Sequence, residues 1–237
     1  MPFFPPRTRQ EVLIMRSKVV IDDGFNPELV EDAFFDGIFE MPRLEKPRQI
    51  IIPDKVLPFS KRQQTKDYTE HLVFYEHDIK FADLLRNPET YLPIVQKFQG
   101  MVTPDFSLYR DMPLVAQMAN TYRNRAIGHY FQRHGVYTVP NIRWSDERSY
   151  TAQILPEAFA FLGVPKNSIV SVGTFGCIRG AENKHHFKQG LKAMLDTLVP
   201  AVVLVYGSMP DCIFSEFRST TQFVNYPDWL SSKMRRG

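Results

Sequence analysis

The 237-residue chain has only two cysteines, Cys177 and Cys212. That is too few for a disulfide scaffold and is in keeping with a reducing compartment. No apolar run approaches the roughly 18 to 20 residues that cross a bilayer. The opening Met-Pro-Phe-Phe-Pro-Pro places three prolines in six residues and cannot form the apolar core of a secretory leader. These absences exclude secreted and membrane-embedded classes and predict a cytoplasmic protein with no membrane partner. Charge of one sign is scarce too: 29 Lys and Arg stand against 26 Asp and Glu, a net of +3. A nucleic-acid binder would show a clustered basic face instead. The densest cationic pieces are 43–48, Lys61-Arg62, Arg123-Asn-Arg125 and 233–236. They read first as solvated faces and a chain end.

What is present suffices for a large core. A chain of this length buries about three-quarters of its unfolded surface. With 43% hydrophobic and 23% charged residues it is an ordinary globular composition, which excludes disorder as the main state. No Gly/Ser-rich linker divides it, so one domain over residues 1–237 is expected. Residues 1–8 read as an irregular arm, 218–237 as an extension or edge decoration, and 55–66 as a long loop.

Short apolar runs repeatedly end in proline and a polar residue: Met41-Pro42-Arg43, Ile52-Pro53-Asp54, Thr103-Pro104-Asp105, Val139-Pro140-Asn141 and Met209-Pro210-Asp211. Proline donates nothing to a ladder and biases the preceding residue toward extended backbone, so each reads as a strand reaching its end. The runs 72–75, 168–172 and 201–206 have the length and branched composition of buried strands. Between them, Asp111-Met112-Pro113 starts a long helix that Gly135 closes, and Asn183 caps a helix over 184–198 stopped by Pro200. Shorter helices are expected over 27–35, 79–85 and 156–162. The alternation implies right-handed crossovers and a parallel sheet covered by helices. About six to eight strands predict an α/β fold, a small or distorted (β/α) barrel in preference to an open doubly wound sheet.

Such folds place their sites at the carboxyl ends of the strands. Asp54, Glu76, Asp105, Asn141, Arg143, Asp146 and Asp211 would then converge there. Glu76 and Asp105 follow successive candidate strands and form, with Asp146, the candidate acid/base set. A glycosidase-like pair needs carboxyl groups ~5 to 9 Å apart. The alternative for Asp105 is a turn cap toward Ser107. In Pro140-Asn-Ile-Arg-Trp-Ser-Asp-Glu147, Asn141 and Arg143 could orient an anion and Trp144 could stack on a sugar or base. Trp144 could equally be a core anchor, with Arg143 paired to Asp146. Ligand-contacting loops are expected at Gly173, Phe175 and Gly176, at Tyr206, Gly207 and Ser208, and at Asp211. The glycine stretch could present N–H groups to an anion, yet it carries neither a Walker loop nor a dinucleotide fingerprint. A tight turn is the plainer alternative.

Both cysteines follow apolar runs and could share one rim, with Arg179 or a helix N-terminus to lower a thiol pKa. Inert buried thiols are the alternative. His71, His77, His129, His134, His185 and His186 show no metal-ligand spacing, and there is no C-x-x-C. No metal site is expected, and the sequence assigns no cofactor.

The motifs 103–113, Asn120-Thr-Tyr-Arg-Asn-Arg125, Pro140-Asn-Ile-Arg-Trp144, Gly173-Thr-Phe-Gly-Cys177 and Val205-Tyr-Gly-Ser208 together resemble a bacterial family of unknown function spread through phages, prophages and other mobile elements. The resemblance covers most of residues 20–217 and implies a shared domain and a mobile-element setting, with no activity to lend. Two function classes follow. One is a binder or enzyme for a small polar, phosphorylated or nucleotide-like ligand at the strand-end rim. The other is a protein that binds nucleic acid or a host or phage protein through Arg123, Arg125 and the basic tail. A homodimer is the base-rate guess.

Overall fold

Seven short strands run parallel and in chain order through the molecule. The structure, a computed structural model, describes residues 24–229, so the arm expected over 1–8 and the end of the C-terminal extension lie outside the described residues. A small antiparallel hairpin, β1 (Phe35–Asp36) and β2 (Met41–Pro42), comes first. The parallel strands are β3 (Val56–Pro58), β4 (His71–Val73), β5 (Gly100–Val102), β6 (Thr138–Val139), β7 (Ile169–Gly173), β8 (Val202–Tyr206) and β9 (Gln222–Tyr226). Ladders join β3 through β6 and β7 through β9, and a single parallel bridge between Asn141 and Ser171 links the two groups. Between strands lie α1 (Pro88–Val95), α2 (Leu114–Arg133), α3 (Glu147–Tyr150), α4 (Gly180–Leu198) and α5 (Asp211–Phe214). The fold is α/β, as the alternation predicts.

β7 and β8 are buried throughout. This is the condition that their unbroken apolar sequence anticipates in a parallel sheet. On one face Val170, Val172, Val203 and Val205 pack with Leu191, Met194 and Leu198 of α4. On the other, Val73, Val102, Val139, Ile169, Leu204 and Tyr226 form one inner cluster fed by strands from β4 to β9. Among the described residues no ladder closes β9 onto β3, although the Tyr226 hydroxyl donates to Pro53 O.

Several elements differ from expectation. Of the five proline signals, Pro104 and Pro140 do follow parallel strands, while Pro42 ends the hairpin. Pro53 precedes β3 instead of ending a strand, which removes Asp54 from the strand-end rim, and Pro210 caps the short helix α5. The long loop expected over 55–66 contains β3, because Leu57 and Phe59 are drawn into the core. The extension expected from 218 contains β9, a five-residue partner of β8. Its adjacent apolar residues Phe223 and Val224 fall between polar Gln222 and Asn225, a weak signal. α4 begins at Gly180, with Asn183 inside its first turn donating to Arg179 O. The shorter helices shrink to 3-10 turns at Pro27–Val30, Asp78–Lys80, Ala82–Leu85 and Phe159–Phe161.

Candidate functional site

The carboxyl ends of β4, β5, β6 and β7 bring polar side chains into one connected cluster. Residues 71, 73 and 75 share a face of the β4 segment, so Tyr75 stands at the top of the inner cluster, stacked on Tyr206 from β8 at 4.8 Å. Gly173, opposite, makes this possible: a Cβ there would lie 2.5 Å from the Tyr75 ring. The Tyr75 hydroxyl donates to Asn141 Oδ1 at 3.1 Å and lies 2.6 Å from Ser171 Oγ. Asn141 Nδ2 donates to Asp105 Oδ1 at 2.8 Å, and Arg143 Nη1 donates to Asp105 Oδ2 at 3.1 Å. The same Nη1 lies 2.9 Å from Cys177 Sγ.

Burial pushes the Asp105 carboxyl upward from its usual range, against the pull of Arg143 and Asn141. Burial also raises Tyr75 well above an ordinary phenol. For Arg143, burial opposes the charge, but Asp105 and Cys177 facing it hold its pKa above the usual value. The cluster therefore keeps a fixed cation beside a carboxyl group with an increased affinity for protons. Its four neutral partners are a phenol, a serine, an amide and a thiol.

Helix α2 holds this arrangement from behind. Asn124 Nδ2 donates to Pro104 O at 2.6 Å, its Oδ1 accepts from Thr103 Oγ1, and Thr103 Oγ1 accepts from Asn141 N at 2.8 Å. Asn120 Nδ2 donates to Ser107 O, and Gln117 Oε1 accepts from Ser145 Oγ. Arg125, 1% exposed, donates to Asn141 O, Ala160 O and Leu162 O at 2.9 to 3.0 Å, and to Asn124 Oδ1. The expectation that Arg125 presents itself to a macromolecule is thereby corrected: it is inside, and its donors are spent on carbonyls. Arg123 remains half-buried, donating to Asn120 Oδ1, and lines a hollow of about 490 Å³ with Ile79, Arg86 and Phe106. Neither Asp105 nor Arg143 lines that hollow.

The other expected site residues divide. Glu76 is held by Ser60 N and Oγ and by Lys80, and makes no contact with Asp105. Asp146 caps α3 through Arg148 N and grips the Arg148 side chain, so Arg143 pairs with Asp105 and not with Asp146. Trp144 faces away from the rim into the core, 5.1 Å from the Phe187 ring and against Gly190, where a Cβ would lie 2.2 Å from the indole Nε1. It is the core anchor rather than a stacking surface. Phe175 and Ser208 are exposed on rim loops. Thr174 Oγ1 ties those loops by donating to Ser208 O at 2.7 Å, with Gly176 and Gly207 at positive φ. Asp211 is exposed and paired with Arg218. Ser107 is held by Asp78 through both N and Oγ, the partner Asp105 lacks in its expected turn-capping role.

A family model described as "Domain of unknown function (DUF4417)" matches residues 33–227. The chain belongs to this family. Two curated phage proteins are similar to it, both called "Gene 1 protein". That of Mycobacterium phage D29 is 31% identical over 157 residues, 66% of this chain and 56% of the relative. That of Mycobacterium phage L5 is 29% identical over 170 residues, 70% of this chain and 71% of the relative. The chain thus matches little more than half the length of the D29 protein. No solved structure matches it. This DUF4417 domain is of the phage-related type that its motifs resemble.

Sequence reasoning left Tyr75, Ser171 and Cys177 out of the site set. Ser171 carried a usable signal, a hydroxyl in the middle of an otherwise apolar buried strand, where a polar group must find a partner. Cys177 is offered by the sequence as a rim thiol with Arg179 as its cation, and the structure gives it Arg143 instead; Tyr75 carries no signal, since its role depends on which strand ends meet. Among the described residues no helix is long and apolar enough to cross a membrane, and no three His, Cys, Asp or Glu side chains gather as a metal set.

Proposed function

We propose that this domain binds, and is arranged to transform, a small polar ligand bearing a phosphate or carboxylate, at the carboxyl ends of the strands of a small, incompletely closed (β/α) barrel. One observation carries the reading. Arg143 spends only Nη1 on the protein, while Nε and Nη2 have no partner among the described residues and are not sealed from solvent. A guanidinium fixed at one corner by Asp105 and open along its other edge is suited to bidentate recognition of an oxyanion. The inner cluster fed from β4 to β9 supports the barrel; Asn141 shares Asp105 with Arg143, and Tyr206 stacks on Tyr75 of the same cluster. Asp105 would be the proton-handling group.

No observation favours the macromolecule-binding alternative, since Arg125 is buried and the basic tail lies outside the described residues. The reading is tested by a thermal-shift screen against nucleotides, sugar phosphates, inorganic phosphate and short DNA or RNA. A ligand at 100 times its Kd stabilises the native state by about 2.7 kcal/mol. A shift with a phosphorylated small molecule that disappears in Arg143→Ala is the expected outcome. A shift with nucleic acid alone, abolished by salt, would sink it.

A further inference from the structure

The sharing of one guanidinium nitrogen between a carboxylate and a thiol has a chemical consequence. Arg143 Nη1 lies 3.1 Å from Asp105 Oδ2 and 2.9 Å from Cys177 Sγ, so the two acids are no more than about 6 Å apart across a single cation. Cys177 is not fully enclosed. Its loop is built to deliver it: Cys177 N donates to Thr174 O at 3.0 Å, closing a turn through Gly176 at φ +78°. The thiol donates to Phe175 O at 3.3 Å.

We infer that Cys177 is a nucleophile for small electrophiles that carry a negative charge, with Arg143 gripping the charge by its free edge and facing the thiolate through Nη1, and Asp105 competing with the thiolate for that guanidinium. The inference rests on the rim reading above and names its reacting atom. In the step, the S–H bond breaks and its proton passes to a solvent base. The resulting thiolate, facing the guanidinium, forms a bond from sulfur to the electrophilic atom. The bond from that atom to its leaving group breaks, and the leaving group departs with the electron pair.

In the resting cluster the cation is already matched by Asp105. Burial pushes the Cys177 thiol up, Arg143 pulls it down and Asp105 adds to the rise. The other titratable groups facing the cluster are Tyr75 beside all three residues, Tyr109 near Arg143, and Asp78 near Asp105. The thiol is thus kept protonated until a ligand or a proton changes the balance around Arg143. Asp105 and Cys177 compete for one positive charge, so weakening one strengthens the claim of the other.

The test uses iodoacetate and iodoacetamide on the full chain carrying Cys212→Ser, with modification of Cys177 followed by intact mass and peptide mapping. Both reagents form an S–C bond and release iodide, and they differ in charge. The ratio of their rates therefore isolates anion recognition from thiolate fraction. The ratio of iodoacetate to iodoacetamide is expected to exceed that of free N-acetylcysteine by about tenfold or more, and to fall back in Arg143→Gln and under competing inorganic phosphate. Each unit of thiol pKa is a tenfold change in thiolate, so Asp105→Asn should speed iodoacetamide about tenfold or more at neutral pH.

A ratio no greater than that of N-acetylcysteine, or one indifferent to Arg143→Gln and phosphate, overturns the inference. An unchanged or slower iodoacetamide rate in folded Asp105→Asn does the same. If that variant does not melt cooperatively, the ratio and the phosphate competition in the unsubstituted residues decide alone. A phosphorylated ligand found in the thermal-shift screen together with an ordinary alkylation ratio would leave the binding reading standing and remove only the thiol.

Discussion

Arg125 and Arg143 lie 18 positions apart, both in motifs rich in amide side chains, and the fold uses them in opposite ways. Arg143 sits at the strand ends with a carboxylate partner, which keeps it charged, and its side chain is 19% exposed. Arg125 sits beneath the rim with no carboxylate partner among the described residues, its pKa lowered to about 9 by burial, and its hydrogen bonds run to neutral oxygens. The first keeps Nε and Nη2 without a partner among the described residues. The second engages Nε, Nη1 and Nη2 alike, tying α2 to the Pro140-Asn141 strand end and to the turn at Phe159–Phe161. A buried charge solvated wholly by carbonyls is tolerated when its donors are satisfied, and here it fixes three backbone segments that must meet for the site to exist.

This contrast is open to attack at several points. Arg125→Met should have the largest effect, because it leaves three buried carbonyls without their donor. We expect about 4 kcal/mol of lost stability, measured by urea unfolding, and a loss near zero would mean that Arg125 does not tie these segments together. The next is acid sensitivity at the opposite end of the sheet. His71 is fully buried, neither ring nitrogen has a hydrogen-bond partner among the described residues, and burial lowers its pKa to about 4. The unfolded chain then binds a proton that the folded one refuses. Stability is full above the unfolded value near 6.5 and is lost as pH falls toward 4, by about 3 kcal/mol. His71→Gln should flatten stability against pH in that window. If the slope persists, the titrating group lies elsewhere.

Third comes Gly190→Ala. The added methyl collides with the Trp144 ring, and overpacking of this kind costs about 2 kcal/mol. A fall in Tm without any change in Cys177 alkylation would separate the core behind the rim from the rim itself. The smallest effect is expected from Asp105→Asn. Its single carbonyl oxygen can accept from Asn141 or from Arg143 but not from both, and the partly exposed Arg143 falls back on solvent, so stability should drop by about 1 kcal/mol. A much larger loss in calorimetry would assign Asp105 to structure.

The legible part of the fold was what local pattern carries. The runs of β4, β7 and β8, the proline ends of β5 and β6, and α2 from its Pro113 start to Gly135 were readable, since each depends on neighbouring residues alone. β9 was not readable, because a strand at the end of the sheet takes its identity from pairing with β8. β3 was lost for a similar reason: Lys55 to Lys66 is polar enough to read as a loop, and only the burial of Leu57 and Phe59 makes it a strand. In the candidate site, the strand-end rule singles out Asp105, Asn141 and Arg143, and the structure brings these three side chains into contact. Glu76 was drawn in by the same rule, but its loop turns it toward Ser60 and Lys80.

By itself the sequence determined an α/β chain of alternating strands and helices, the strand ends at Pro104 and Pro140, and the resemblance now matched by the family. These rest on periodicity, on the geometry of proline and on motif order, all of which are local. Only the tertiary structure decided that Arg143 takes Asp105 and not Asp146, that Trp144 is packed and not exposed, that Arg125 is inside, and that Cys177 meets the same guanidinium. Each of those facts depends on the distance between segments far apart in the chain, and such distances are set by packing of the whole and not by the residues on either side.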